Sequence, residues 1–383
     1  MVTHPSVRAL VATVLVGLLL LTACGADPLP VPEPSPPQDT DAGSDAAAAD
    51  PDPEPIPEPE PEPLPPVEDE DAGEPDDGPA GLPPAPDPHP PFVLSADEAV
   101  PNGKRFAADI VQALLTYEPA DTARDVVAEV APAGLVEGIT TQFESVHRPG
   151  SWSRGRIVYP QLGGFADDRT SVMVVAEKTW GTPEGDVRVE TRTFDVRLVA
   201  IGGRWELEAI PSFGGAPVPR PDDLSEAAVA VLDDDRIELP DSARWDIHAG
   251  LTAESLLELM VAMAERTPYG VIVLETGHPF EVFGTDRVSR HMAGLAVDLY
   301  RLDGPKVIDD RADGSDTHEF VRWLFDRDDV RVIGSPWALD GFGGRSFTDL
   351  VHQDHLHIES VPRPGERTVI EEVGAQRPGD AGD

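Results

Sequence analysis

Between residues 26 and 91 the chain carries 19 Asp or Glu, no Lys or Arg, and 23 of its 42 prolines. No other feature restricts the fold as much. Proline removes a backbone donor and blocks helix interiors and sheet ladders. Runs such as Asp52-Pro53-Glu54-Pro55 and Pro57-Glu58-Pro59-Glu60 add charge repulsion, so the stretch cannot form a core. In polyproline II such a segment rises roughly 3.1 Å per residue and reaches on the order of 200 Å. It reads as a stiff, disordered spacer over 24–93, and order is expected to begin near Leu94–Asp97.

Ahead of the spacer, Met1–Arg8 is a short basic start and Ala9–Leu21 is an unbroken run of small and apolar residues. That run is short for a membrane span and suits the core of a signal peptide over 1–23. Cys24 is the one cysteine of the chain, which excludes an internal disulfide and a thiolate zinc cluster. Leu21-Thr22-Ala23-Cys24 resembles a bacterial lipobox. The resemblance implies that Cys24 is lipidated and anchors the protein to the extracellular face of the cell membrane, with the spacer extending into the cell wall. The formal net charge is -42, from 71 acidic against 29 basic residues. Nucleic acid is excluded as a partner on that ground, because phosphate binding needs clustered Lys and Arg.

Beyond the spacer the chain reads as α+β throughout, in two domains. Over 94–215, Phe106, Ile110, Val111, Leu114 and Leu115 recur at helical spacing, and 126–130 and 135–143 suggest two more helices. From Gly155 the pattern changes to strands: 171–178, 187–199 and 204–210 are rich in Val, Thr and aromatics and separated by turn residues. Helices followed by an antiparallel meander resemble NTF2-like domains, and Gly202-Gly203-Arg204-Trp205-Glu206-Leu207-Glu208 is similar to their closing strand. Trp205 reads as a packing residue, and no catalytic constellation is visible in this domain. Residues 211–223, with four prolines, read as a linker. A second α+β domain over 222–362 follows. Thr252 is placed to N-cap a helix with Glu254 in its first turn. The expectation continues with a strand at 271–274, a helix at 316–325, a strand near 330–333 and a disordered tail over 363–383.

Chemistry concentrates in two clusters of the second domain, Ser289-Arg290-His291-Met292-Ala293-Gly294-Leu295-Ala296-Val297-Asp298 and His352-Gln353-Asp354-His355-Leu356-His357. Two imidazoles and a carboxylate supply three ligands for one zinc ion and leave a fourth position open, the arrangement of a catalytic zinc. His355 and His357 fall on one face of a strand, so one can ligate while the other acts on bound water or substrate. Zinc lowers the pKa of its water toward 7, and a neighbouring base completes the deprotonation.

Ser289-x-His291-x-x-Gly294-x-Ala296-x-Asp298 matches, at every fixed position, the signature of the peptidase M15 / LAS group, which includes D-alanyl-D-alanine carboxypeptidases, murein endopeptidases and the hedgehog domain. The closing His-x-His is similar to the zinc motif of its endopeptidases. The resemblance covers roughly 240–360. It implies zinc at His291, Asp298 and His357, with His355 as catalytic base or transition-state stabiliser and His352 as a secondary candidate. The implied activity is hydrolysis of peptidoglycan peptides, of carboxypeptidase or endopeptidase type. Two departures stand out. His355-Leu356-His357 replaces the Glu-x-Trp-His of many carboxypeptidases, and Thr276-Gly277-His278-Pro279 stands where they carry Ser-Gly-Tyr-Arg. The substrate-anchoring arginine is thus displaced, and Arg287 or Arg290 is the candidate replacement. The stretch from Gly277-His278-Pro279 to Phe283-Gly284-Thr285-Asp286-Arg287 is similar to one in actinobacterial proteins. His278 either lines the site or packs in its turn. Two other readings compete: a non-catalytic, zinc-containing wall-binding or scaffolding lipoprotein, and a Ser-His-Asp hydrolase built on Ser289. The latter lacks a Gly-x-Ser-x-Gly elbow.

Overall fold

Strand 169–181 is apolar on both of its faces, which explains the layering. Val172, Val174 and Ala176 belong to one core and Met173 and Val175 to another. Successive strand residues point to opposite faces, so this strand must be covered from both sides. A computed structural model describes residues 81–367 apart from Phe342. The expected signal peptide of 1–23, Cys24, the expected spacer as far as residue 80 and the stretch from 368 lie outside the described residues. The described residues fall in one compact unit. No helix among them is long and apolar enough to cross a membrane.

The first half begins with α1 (Pro101–Leu114), α2 (Ala123–Val130) and α3 (Val136–Phe143). The antiparallel meander β1 (Ser153–Ala166), β2 (Arg169–Gly181), β3 (Val187–Ile201) and β4 (Arg204–Ser212) follows. Thr122 caps α2 in a capping box with Asp125. The three helices cover the Val172 face of the sheet, and Trp205 packs at the edge of that core.

The second half comprises α4 (Glu226–Asp233), β5 (Ile237–Glu238), α5 (Asp241–His248), α6 (Glu254–Arg266), β6 (Tyr269–Val273), β7 (Ala296–Leu302), α7 (Asp316–Phe325), β8 (Val330–Gly334), β9 (Ser346–Phe347) and β10 (Leu356–Ser360). Its six strands run in the order β5-β6-β7-β10-β8-β9, with both end pairs parallel and the rest antiparallel. Val271, Val297, Leu299, Ile333, Leu356 and Ile358 join the core formed with α4, α6 and α7. Tyr300 turns the other way, together with Ile272 and Val273 at a register irregularity of β6, onto Tyr159, Met173 and Val175 of the first sheet. Tyr159 and Tyr300 stack there with centroids 5.3 Å apart. The fold is therefore α+β in four layers, helices outside and two sheets face to face.

Four sequence expectations need correction. The end of the spacer is not free. Residues 81–93 form an extended strap whose backbone carbonyls are held by side chains, Pro83 by Trp152 Nε1 (2.6 Å), Pro86 by Arg154 Nε (2.7 Å) and His89 by Gln112 Nε2 (3.0 Å). A carbonyl-rich polyproline-type segment offers unpaired acceptors, which suits docking onto side-chain donors. The segment read as a linker is likewise clamped: Arg192 Nη1 donates to Gly215 O (2.6 Å), and Val218 O pairs with His248 Nδ1 (2.8 Å). Thr252 does not cap α6. Ala253 is the N-cap, and the orphan N–H of Ser255 donates to the carboxylate of Glu366 (2.8 Å). Glu366 lies in the stretch expected to be tail, so that region is ordered at least to Arg367, whose guanidinium pairs with Glu275.

Candidate functional site

Register brings the two clusters together. In the antiparallel pair β7–β10, His357 lies directly opposite Asp298. Leu356 and Ile358 point into the helix-covered core, so His357 and Glu359 must point to the other face, as Asp298 does beside Tyr300. The site thus sits on the face of the second sheet that looks toward the first, at the floor of a cleft of about 670 Å³.

His291 reaches it from a short 3₁₀ turn, Arg290–Ala293. Ser289 is the N-cap of that turn, and its Oγ accepts from the His291 N–H (3.3 Å). Gly294 closes the turn with φ +67, and a Cβ there would meet Leu251 O at 2.0 Å. Only glycine fits both demands. Ala296 is fully buried at the start of β7. The serine, glycine and alanine of the ten-residue pattern thus each have a mechanical part in aiming His291 and Asp298.

Three donor atoms converge. His291 Nε2 lies 3.2 Å from His357 Nδ1 and 3.3 Å from Asp298 Oδ1, and His357 Nδ1 lies 3.0 Å from Asp298 Oδ1. The far nitrogens have acceptors of their own: His291 Nδ1 faces Leu274 O, and His357 Nε2 faces Glu359 Oε1 at 3.3 Å. A carbonyl and a carboxylate can only accept, so each ring carries its N–H outward and turns a lone pair inward. Two lone pairs and a carboxylate oxygen at such separations repel unless a cation lies among them. A proton can serve in part. Burial opposes charge on His357, but the Asp298 and Glu359 carboxylates outweigh it and push the imidazole up to about 10. Burial also opposes ionisation of Asp298, and the surrounding imidazoles hold its carboxyl well below the usual range.

His278 joins this cluster. One donor atom each from His278, His291 and Asp298 lies within 4.8 Å of the others, and the group could hold a metal ion. His278 stacks on His291 with centroids 4.0 Å apart and planes 15° from parallel. Imidazole lone pairs lie in the ring plane, so two near-parallel stacked rings do not aim at a common point, whereas His357, tilted 51° to His291, can. His357 offers the better-directed third donor. Burial holds His278 well below its ordinary pKa, so it lines the site as a neutral ring.

His355 Nδ1 donates to Asp354 Oδ1 (2.6 Å), which leaves Nε2 toward the cleft, 3.8 Å from Asp298 Oδ2. Burial works against the Asp354 carboxylate, but Lys104 and His355 bring it down to about 2. His352 stands behind His355 with ring centroids 5.0 Å apart, its Nδ1 paired with Asp349 Oδ1 at 2.7 Å. Arg287 is exposed at the mouth, whereas Arg290 is largely buried, and its Nε and Nη2 have no hydrogen-bond partner among the described residues. Both line the cleft. No hydrogen bond among the described residues joins Ser289 Oγ to an imidazole.

The first domain, in which the sequence showed no catalytic constellation, still reaches the site. Gln161 Nε2 donates to Asp298 Oδ2 (2.6 Å), and Lys104 Nζ, from α1, pairs with both Asp354 and Glu98. Nothing in the local sequence marks either residue, since a buried polar side chain in a strand or helix declares itself only through its distant partner. No protein-family model matches the chain, and no curated protein matches it either.

Proposed function

We propose that the protein is a zinc-dependent peptidase acting on peptidoglycan peptides at the cell surface, anchored through Cys24. The observation that supports this reading most is the set of three convergent donors at His291, His357 and Asp298, 3.0–3.3 Å apart. Zinc bound at 2.0–2.1 Å by tetrahedral ligands needs donor separations of about 3.3 Å. Three protein ligands would leave a fourth position to water or substrate, and His291, His357 and Asp298 lie beside the cleft.

Bound zinc would supply Lewis acidity and a water of lowered pKa. The chain's own residues do the rest. His355 has its Nδ1–H fixed on Asp354, so Nε2 is the base that takes a proton in the cleft and returns it to the leaving amine. Asp354 orients that ring and stabilises its cationic form. His278 and His352, kept neutral by burial, wall the reacting volume. Arg290, whose Nε lies 3.7 Å from Glu359 Oε2 and whose Nε and Nη2 make no hydrogen bond among the described residues, suits a substrate carboxylate better than the exposed Arg287, which can meet the peptide at the rim.

A non-catalytic, wall-binding lipoprotein is the second reading. The turn at Thr276-Gly277-His278-Pro279 favours it, because no arginine stands there to fix a substrate. The test uses the full-length protein and its His291→Ala variant, with bound metal measured and isolated cell wall digested and analysed by mass. Near-stoichiometric zinc and new peptide fragments, both lost in His291→Ala, are expected. Zinc with co-sedimentation on wall and no cleavage selects the binder, and no zinc after reconstitution removes the peptidase mechanism.

A further inference from the structure

Three neighbouring residues of β1 each touch the site across the gap between the sheets. Tyr159 stacks on Tyr300, two residues from Asp298 on the same face of β7. Gln161 donates to Asp298 Oδ2, and the Leu162 N–H donates to Asp354 Oδ2 (2.9 Å). The strand is irregular at this place. Its pairing with β2 slips between Ile157 and Tyr159 and again between Leu162 and Gly164. Irregularities of this kind re-aim side chains and recur beside active sites. Here they bracket the residues that reach the second sheet.

We infer that the first, four-stranded-sheet domain is a fixed part of the metal centre and that Gln161 is a positioning residue for Asp298. The inference rests on the zinc reading above. Gln161 and Asp298 are both fully buried. The amide can face only one way, since the reverse orientation would set Oε1 against Asp298 Oδ2. Its Oε1 has no partner among the described residues, so the amide is held by the one bond it donates. That bond occupies the oxygen of Asp298 that does not face His291 and His357. Oδ1 is thereby left as the single ligating atom, and the carboxylate plane is fixed. Without the donor, the carboxylate is free to rotate and present both oxygens, which changes both affinity and ligand geometry. Groups that orient metal ligands in this way typically alter metal affinity 10–100-fold when removed.

The experiment compares full-length wild type with Gln161→Met, which keeps the volume and removes the donor. Gln161→Asn, which keeps the amide and withdraws it by one methylene, stands in if the first variant fails to fold. Zinc affinity is measured by chelator competition, and the visible spectrum of the cobalt(II)-substituted protein reports ligand geometry. A 10–100-fold weaker zinc affinity together with shifted cobalt bands is expected. A substitution that only loosens the fold would lower the melting temperature and leave the cobalt bands of the folded protein unchanged. If wild type binds zinc and a folded Gln161 variant binds it equally tightly with the same cobalt spectrum, the inference is overturned and the metal site stands. If wild type takes up no zinc, the peptidase reading and the inference fall together.

Discussion

Lys104→Met tests the connection between the two halves most severely. Lys104 lies on α1 with its side chain wholly out of solvent, between the carboxylates of Glu98 and Asp354, and both of those side chains are also buried. Methionine keeps the stem and removes the charge, which leaves two desolvated carboxylates facing each other. Breaking a buried ion pair by removing one partner costs about 3–5 kcal/mol. Asp354 gives a second measure. Its carboxyl titrates at about 2 against an ordinary 3.8, and that gap corresponds to about 2 kcal/mol, shared between Lys104 and His355. Glu98 works the other way, since burial raises its pKa and Lys104 offsets only part of that rise. The expected loss at pH 7 is about 3 kcal/mol, a fall of roughly 6–12 °C in melting temperature for a domain of this size. The sign with pH follows from Asp354. A depressed acid stabilises the fold above its unfolded pKa, so this contribution is complete at pH 7 and is lost only as pH falls from about 4 toward 2. Thermal and urea melts of wild type, Lys104→Met and Lys104→Met/Asp354→Asn at pH 7 provide the assay. The double variant removes one of the stranded charges and should be less destabilised than the single one. A single-variant loss under about 1 kcal/mol, or a double variant that is no better, would refute the buried triad as described.

Two further outcomes follow from the same geometry. Gly294→Ala places a Cβ 2.0 Å from Leu251 O at a positive φ, so it should cost about 2–4 kcal/mol and weaken metal uptake by displacing His291; a melt and a chelator titration both within error of wild type would contradict this. Lys178 is buried over the Trp180 ring, and burial lowers its pKa to about 7 although Glu190 pulls the other way. Because the folded state prefers the neutral amine, this contribution is present above an ordinary pKa of 10.5 and is lost as pH falls toward 7. Stability of wild type relative to Lys178→Met should therefore rise between pH 7.5 and 9.5, and a pH-independent difference would remove the assignment.

Local pattern carried a good part of this protein. The helices and strands of the first half and α6, β6, α7 and β8 of the second were largely legible because apolar spacing of 3.6 or 2 is imposed by which face each element buries, whereas α4, β5, α5 and β9 were not expected. That His291 and Asp298 belong to one site was legible from the ten-residue pattern, whereas the serine cap, the 3₁₀ turn and the positive φ of Gly294 that aim His291 became visible only in the structure. That His357 stands opposite Asp298 depended on the register of β7 against β10, which no local signal specifies. Gln161 reaches Asp298 across 137 positions, and Lys104 reaches Asp354 across 250. Each is an ordinary strand or helix residue until its partner is known. The strap at 81–93 and the Glu366 cap were hidden in another way, since composition and position argued for disorder where distant donors hold the backbone. Sequence by itself thus determined most of the elements and the residue types of the candidate site. Tertiary structure decided which of these side chains meet, how the turn presents His291, which nitrogen each ring turns inward, and that the first domain lines the site, because burial drives polar groups to find partners wherever the fold supplies them.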